Sequence, residues 1–358
     1  MTHLYLEQEI SCITINPKDS RQIIISQLDG CVSMYEMKCK SLNSIGSLKL
    51  DDDSYVRDIV YMEDGKKFTI TTSECAIGLL DTVTMEPLTW INEATSAKPS
   101  ALLNLGGDKG VQTVVGDDEG NIKMFDFRTQ EGAVLEFSEQ KDAITDLKFS
   151  HGSILATSSD GHLCVYDLRK KKVSVKSEQA DAEYNCICIT NRRTYIGTGD
   201  GVIDVYKNGD YGYMLERIDT KMKYGIDSII EARENLLLCA SMTEDFVKFV
   251  NVQPNKVLKK KEVPFPMGKI IVDSAKKFFI GYGMCENFYH CSLAEITNDI
   301  PVITMENVKN TKKLISEENN HGFFDDLLEK KEEENDVEDE EMGEELFDFE
   351  DSDEIEDE

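Results

Sequence analysis

The five histidines are the first residues to examine for acid–base catalysis or metal binding. They are His3, His151, His162, His290 and His321. None is spaced like the ligands of a zinc site, and the chain has neither a G-x-S-x-G nor an H-E-x-x-H sequence. The segment Thr198–Gly201 contains two glycines but lacks the lysine and the following helix of a phosphate-binding loop. We therefore expect no catalytic residues and no enzymatic activity.

The ten cysteines are a second set with potential chemistry, and no two of them form a C-x-x-C pair. Cys186 and Cys188 would lie on the same side of a strand, which suits core packing better than zinc binding. Cys285, His290 and Cys291 are close in sequence, but three ligands on one hairpin rarely complete a structural zinc site. The sequence thus predicts no bound metal and no cofactor, and it favours a reducing compartment.

Arginine and lysine offer a third chemistry, the recognition of carboxylates, carbonyl groups or phosphate. Arg128 and Arg169 each follow an aspartate by two positions. We expect each of them either to contact a partner or to close a local ion pair in a solvated loop. Two short basic runs either contact phosphate, direct nuclear import or are solvated loops. They consist of Arg169, Lys170, Lys171 and Lys172, and of Lys259, Lys260 and Lys261.

Charge is distributed unevenly along the 358 residues, which include 39 basic and 69 acidic side chains. Residues 316–358 hold 23 of the acidic and 2 of the basic ones, so residues 1–315 have a net charge of only −9. A body of this kind, without a long basic run, is not expected to grip a nucleic-acid backbone by itself. No apolar run approaches the roughly 20 residues of a membrane-spanning helix. Residues 1–10 lack the features of a secretory signal.

A repeated unit of predicted strands must position these side chains. Its turns recur every 40 to 45 residues, at Asp29, Glu74, Glu119, Asp160, Asp200, Glu244 and Cys285. Four of them have the Asp-Gly or similar composition of a two-residue hairpin with positive φ: Asp29-Gly30, Glu119-Gly120, Asp160-Gly161 and Asp200-Gly201. The segment after each turn alternates apolar and polar residues, as a strand with one buried face does. The pattern predicts an all-β body of seven four-stranded units, without a helical stripe in residues 1–300.

The period of the repeat is that of a β-propeller blade, and seven blades account for residues 1–300. Because an open ring would leave a long unpaired edge, we expect His3–Glu7 to form the outer strand of the seventh blade. Both basic runs would follow a third strand, in loops on one rim. Residues 301–315 are expected to be a linker. Residues 316–358 are expected to be a disordered acidic tail, because they contain too few apolar residues to bury.

Two apolar islands interrupt the acidic tail. The first consists of Phe323, Phe324, Leu327 and Leu328, and the second of Phe347 and Phe349. Short amphipathic segments of this kind fold into a groove on a partner or pack back on the body. Ser352 stands among acidic residues and is a candidate phosphoacceptor.

Several segments resemble known repeat proteins. The pairs Leu80-Asp81, Phe125-Asp126 and Tyr166-Asp167 stand where WD-repeat proteins have Trp-Asp, although no Gly-His pair occurs and Trp90 is the one tryptophan. A closer resemblance is to the WD repeat-containing protein 55 family and its fungal counterparts. It rests on residues 115–128, 156–167, 199–206, 226–229, 234–241 and 250–257, with Gly322–Leu327 in the tail.

This resemblance implies a seven-bladed WD40 propeller that acts as a protein-interaction scaffold in the nucleus and nucleolus. The implied process is ribosome biogenesis, in precursor-rRNA processing for the large subunit. The implied partners are pre-ribosomal assembly factors and basic ribosomal proteins, with the chain monomeric inside a larger assembly, no membrane involved and RNA contact left open. Two alternatives remain. Arg128 and Arg169 resemble the Trp-Asp-x-Arg feature by which some WD40 proteins dock on a cullin-4 ubiquitin-ligase adaptor, and the acidic tail alone would suit a histone- or chromatin-binding propeller.

Overall fold

The computed structural model describes residues 2–38, 41–51, 54–106, 111–129, 132–283 and 285–301. They form seven four-stranded antiparallel sheets within one compact unit that ends at Pro301. The predicted all-β propeller of seven blades is therefore confirmed. The predicted linker beyond Pro301 and the predicted acidic tail lie outside the described residues.

Strand β1 (Thr2–Tyr5) comes first and belongs to the last blade. The blades follow in chain order, each written from its inner strand, a, to its outer strand, d. Blade 1 consists of β2 (Ile10–Ile15), β3 (Gln22–Gln27), β4 (Cys31–Lys38) and β5 (Ser41–Lys49). Blade 2 consists of β6 (Val56–Tyr61), β7 (Lys67–Thr72), β8 (Ile77–Asp81) and β9 (Pro87–Ile91). Blade 3 consists of β10 (Pro99–Leu105), β11 (Gln112–Asp117), β12 (Ile122–Asp126) and β13 (Leu135–Phe137). Blade 4 consists of β14 (Ile144–Ser150), β15 (Ser153–Ser158), β16 (Leu163–Asp167) and β17 (Lys172–Lys176). Blade 5 consists of β18 (Tyr184–Ile189), β19 (Arg193–Thr198), β20 (Val202–Lys207) and β21 (Glu216–Asp219). Blade 6 consists of β22 (Ser228–Arg233), β23 (Leu236–Ala240), β24 (Phe246–Val252) and β25 (Asn255–Glu262). Blade 7 consists of β26 (Lys269–Val272), β27 (Phe278–Tyr282), β28 (Asn287–Ser292) and β1.

The ring closes through its first strand. β1 pairs antiparallel with β28, with Thr2 opposite His290 and Tyr5 opposite Asn287. The N-terminal segment thus completes the last blade as expected, although the strand ends at Tyr5 rather than at Glu7. Blade 7 therefore has four strands like the other blades, and β28 does not leave an unpaired edge.

Seven apolar clusters fill the spaces between neighbouring blades. The second strand of blade 6 shows how one strand serves two clusters. Leu236 and Leu238 pack toward blade 7, whereas Leu237 and Cys239 pack toward blade 5. Because successive side chains of a strand point to opposite faces, a strand that is buried on both faces has no polar alternation.

Side chains of the inner strands join each blade to the next. Asp146 Oδ2 accepts a hydrogen bond from the backbone N–H of Ile187 at 2.9 Å, and Asp58 Oδ2 accepts one from Leu102 at 3.0 Å. Blade 4 also supplies a donor to blade 5, because the Thr145 hydroxyl donates to the carbonyl oxygen of Tyr184 at 2.6 Å. These bonds fix the blades around the channel that their inner strands surround.

The b–c turns differ from the sequence prediction in their length. In blade 1, the N–H of Gly30 donates to the carbonyl oxygen of Gln27, and Ser26 lies opposite Val32. The loop therefore has three residues, and its glycine has a φ of +83° while Asp29 does not adopt a positive φ. This is a type I turn followed by a left-handed glycine, not a two-residue hairpin. In blade 2 the same position is occupied by Cys75, with a φ of 59°.

One short helix departs from the all-strand prediction for residues 1–300. Helix α1 (Leu293–Thr297) follows β28 and buries Leu293 and Ile296 against blades 6 and 7. Five residues are too few for the apolar stripe that would reveal a helix in the sequence. Among the described residues, no helix has the length and apolar character needed to span a membrane.

Candidate protein-interaction surfaces

The antiparallel order of each blade sends its connections to two ends of the strands. We call one end the turn face; it carries the b–c turns and the connections from an outer strand to the next inner strand. The opposite face carries the a–b and c–d connections. A channel of about 680 Å³ lies between the inner strands. Loops on such faces, supported by a rigid ring, are the usual binding surfaces of a propeller.

Charged side chains in the channel are largely paired with one another. The Nζ of Lys148 lies 3.0 Å from Asp146 Oδ1, and the Nζ of Lys269 lies 3.5 Å from Asp58 Oδ1. The carboxylates of both pairs also accept the backbone bonds that join the blades. They hold the ring together, which leaves little capacity for acid–base work on a ligand.

The aspartates at the ends of the third strands cap the c–d turns. Asp81 Oδ1 accepts hydrogen bonds from the backbone N–H groups of Val83 and Thr84, at 2.9 and 3.0 Å. Asp167 Oδ1 accepts them from Arg169 and Lys170, at 2.9 and 3.1 Å. In both cases the backbone bonds are the main reason that the pKa of the carboxyl lies below its usual value. The aspartate that stands where WD-repeat proteins have the Asp of Trp-Asp thus caps a turn through its side chain, as in an Asx-turn. This capping does not require the tryptophan that these repeats lack.

Arg128 forms an ion pair within its own blade. Its Nε lies 2.8 Å from Asp126 Oδ1 and its Nη2 lies 2.5 Å from Asp126 Oδ2, a two-point ion pair. Gln112 Nε2 donates to the same carboxylate at 2.8 Å. The guanidinium, followed by the amide, lowers the pKa of Asp126. Of the two roles expected for Arg128, the structure shows the local ion pair.

Arg169 and its lysine neighbours form an exposed basic loop on the opposite face. The Arg169 side chain is 85% exposed, and its Nε lies 3.9 Å from Asp167, so the ion pair is loose. Lys170 Nζ lies 3.7 Å from the same aspartate. Lys171 is in the turn, and Lys172 begins β17 opposite Asp167. This run is available to an incoming partner.

The second basic run does not lie where the sequence placed it. Lys259, Lys260 and Lys261 are within the outer strand β25, not in a loop after the third strand. Lys259 Nζ lies 3.6 Å from Asp299, and Lys260 Nζ lies 3.7 Å from the ring centroid of Phe246. The two basic runs therefore do not share a rim. The prediction was wrong because the apolar residues of β25, Val257 and Leu258, are adjacent and do not give the alternation that reveals a strand.

The four predicted Asp-Gly and Glu-Gly turns all lie on the turn face. Asp29 Oδ1 accepts from the N–H of Cys31 at 2.9 Å, and Asp160 Oδ1 accepts from the N–H of His162 at 3.0 Å. Asp200 accepts from the hydroxyl of Thr198. In blade 3 the cap is Asp117, two residues before Glu119, whose own carboxylate is exposed.

Similarity to known proteins agrees with this architecture. No protein-family model matches the chain. WD repeat-containing protein 55 of Rattus norvegicus is 27% identical over 206 residues, which cover 56% of this chain and 52% of the rat protein. The homologue in Drosophila melanogaster is 29% identical over 212 residues, with 58% and 41% covered. The protein of Pongo abelii is 23% identical over 323 residues, with 87% and 80% covered. The resemblance to the WD repeat-containing protein 55 family is confirmed.

The chain spans about half the length of the first curated relatives it matches, 52% in the rat protein. Propellers with WD repeats are in general protein-interaction scaffolds, and the chain has this architecture.

The cysteines behave as small core residues rather than as ligands. Cys186 and Cys188 are both buried in the cluster between blades 5 and 6, and burial raises the pKa of Cys188 to about 12. Cys291 is buried, while Cys285 is half-buried and donates to the carbonyl oxygen of Asn287. Within the described part of the chain, no three His, Cys, Asp or Glu side chains are grouped to hold a metal ion.

The tail positions lie outside the described residues. They are Phe323, Phe324, Leu327, Leu328, Phe347, Phe349 and the candidate phosphoacceptor Ser352. Their roles remain predictions from the sequence.

Blade 5 contains a buried polar network that the sequence reasoning missed. Asp204 is fully buried, and its Oδ1 accepts from Arg217 Nε at 2.9 Å while its Oδ2 accepts from the Tyr184 hydroxyl at 2.9 Å. The hydroxyls of Tyr184 and Tyr206 are 2.8 Å apart. Arg217 lies directly opposite Asp204 in the strand register. The signal in the sequence was an aspartate between Ile203 and Val205, inside a strand rather than at its end.

Proposed function

We propose that this chain is a non-enzymatic scaffold in nucleolar ribosome biogenesis, in precursor-rRNA processing for the large subunit. The observation that carries the proposal is the closed seven-bladed ring together with the similarity to WD repeat-containing protein 55. A ring of this kind is rigid and presents two loop faces, so it holds several partners in fixed geometry. The partners are assembly factors and basic ribosomal proteins, and the acidic residues of 316–358 favour basic ones.

Affinity purification of the tagged full chain, followed by mass spectrometry, tests this proposal. We expect large-subunit assembly factors and precursor rRNA species to be enriched, and the tagged chain to lie in the nucleolus by fluorescence microscopy. The matched control is a tagged WD40 propeller of similar size from another pathway. Enrichment of histones instead, or of no pre-ribosomal component above the control, would contradict it.

A second candidate function is favoured by Arg169. This guanidinium is 85% exposed and only loosely paired, so it is free to dock on a cullin-4 ligase adaptor. Arg128 is less suited, because Asp126 already binds both ends of its guanidinium. Charge reversal by Arg169→Glu should abolish adaptor binding in a pull-down, whereas Lys172→Glu, a matched control from the same run, should not. Equal binding by both variants would eliminate this candidate.

A further inference from the structure

The two faces of the propeller differ strongly in charge. Among the described residues, the loops of the turn face hold 19 acidic and 4 basic side chains, a net charge of −15. The loops that join strands on the opposite face hold 7 acidic and 10 basic side chains, a net charge of +3. The two kinds of loop alternate along the chain, which hides this division in the sequence.

Some carboxylates of the turn face form no ion pair with the described residues. Glu74, Glu119, Glu183 and Asp245 are exposed, and none of the four has an ion-pair partner in the described part of the chain. Acidic residues that neither cap turns nor pair with arginine contribute mainly to the field in front of the face. A field of one sign over a whole face steers and concentrates partners of the opposite sign.

One buried carboxylate oxygen on this face has no hydrogen-bond partner among the described residues. Glu244 lies in the b–c turn of blade 6 and is only 8% exposed. Its Oε1 accepts from the backbone N–H of Lys223 at 3.0 Å. Its Oε2 is shielded from solvent and has no hydrogen-bond partner among the described residues. An unpaired buried carboxylate oxygen is unfavourable, so a donor brought by a ligand would be stabilising there.

Two large apolar side chains stand beside Glu244. Tyr224 follows Lys223 in the connection to blade 6 and is 57% exposed, and Met242, two residues before Glu244, is 46% exposed. The N–H of Met242 donates to Asp227 Oδ2 at 2.6 Å, which ties the turn to that connection. The Nζ of Lys223 already lies 5.1 Å from the ring centroid of Tyr224, so a cation from a partner would replace it there. An aromatic ring and a thioether next to carboxylates suit the aliphatic stem and charged end of lysine or arginine.

We propose that the turn face, centred on Tyr224, Met242 and Glu244, binds a lysine- or arginine-rich segment of a partner protein. The face as a whole carries excess negative charge, and the buried acceptor Glu244 Oε2 and the exposed side chains of Tyr224 and Met242 lie together on it. Nucleic acid is disfavoured there, because its phosphates meet carboxylates. The inference rests on the proposed scaffold function and assigns the surface and the partner chemistry.

The test measures binding of a fluorescein-labelled decalysine peptide to the full chain by fluorescence anisotropy. The turn-face variant is Glu183→Gln with Asp245→Asn. The matched control is Glu86→Gln with Glu234→Gln, which neutralises two carboxylates in loops of the opposite face and leaves the tail unchanged. We expect the turn-face variant to weaken binding about 3- to 10-fold and the control less than about 2-fold. We also expect Glu244→Gln and Tyr224→Ala to weaken binding further, without a change in the circular dichroism spectrum.

Equal weakening by the two double variants would overturn the inference, because binding would then depend on net charge alone. Unchanged binding by the turn-face variant would overturn it as well, and would assign decalysine to the acidic tail. The outcome is separable from the proposed function. Loss of pre-ribosomal partners in a purification, with face-specific peptide binding intact, would contradict only the ribosomal role.

Discussion

Removal of the buried carboxylate of blade 5 should destabilise the propeller measurably. In Asp204→Ala, Arg217 loses a charge-assisted hydrogen bond and the Tyr184 hydroxyl loses an acceptor. Breaking a buried ion pair costs about 3–5 kcal/mol. The lower end applies here, since the Arg217 side chain is 34% exposed and regains some hydration. We therefore expect a loss of about 3 kcal/mol, which for about 300 folded residues lowers the thermal midpoint by about 5 °C.

Urea unfolding followed by circular dichroism measures this loss, and the fluorescence of Trp90 in blade 2 tests whether a distant blade unfolds with it. Asp181→Asn is the matched control, because Asp181 also contacts Arg217, at 3.2 Å, but is 90% exposed. Its loss should be below about 0.5 kcal/mol. If Asp204→Ala cost no more than Asp181→Asn, burial would not be what makes the network stabilising.

Three further substitutions probe the turns. Arg128→Ala should lower the thermal midpoint at about pH 7 and above, because the bound guanidinium holds the pKa of Asp126 below its usual value. A carboxyl group with a depressed pKa contributes stability above its unfolded pKa of about 4, and this contribution is lost as the pH falls toward the folded pKa. The difference in thermal midpoint between wild type and variant should therefore narrow below about pH 4. A difference that widens there would contradict this prediction. Gly201→Ala and Gly209→Ala both place a side chain at a positive φ, of +79° and +84°. Gly209→Ala should lower the free energy of unfolding by about 1 kcal/mol, for the backbone alone. Gly201→Ala should lower it by about 2–3 kcal/mol more, because its Cβ would lie 2.0 Å from the carbonyl oxygen of Met222. Equal losses in the two variants would show that Met222 moves freely.

Local patterns predicted the ring because each blade is built from contacts close in sequence. The hairpin around Asp160-Gly161 joins two strands that are neighbours in the chain, and alternation together with the glycine is enough to identify it. The closing strand was predictable for another reason: a propeller cannot leave blade 7 incomplete. The exact length of the turn was not predictable, because a two-residue loop and a three-residue loop have almost the same composition.

The candidate surfaces were harder to predict. Lys259–Lys261 resemble a polar loop in the sequence, yet the pairing of β25 with β24 makes them part of an outer strand. Arg128 and Arg169 have the same spacing to an aspartate, but one is held at two points and the other is loose. In addition, Gln112 of the neighbouring strand donates to Asp126, a contact between strands that the spacing in the sequence does not reveal.

The sequence by itself determined the period, the strands, the seven blades and the separate acidic segment, because all of these follow from composition and from contacts within one hairpin or blade. Only the tertiary structure decided which residues share a surface. Asp58 and Lys269 become neighbours when blades 2 and 7 face the same channel. Likewise, Glu183 of one connection and Asp245 of a later turn join one acidic face, because antiparallel strands return alternate loops to the same end. The closed ring thus brings charges that are far apart in the sequence onto one surface.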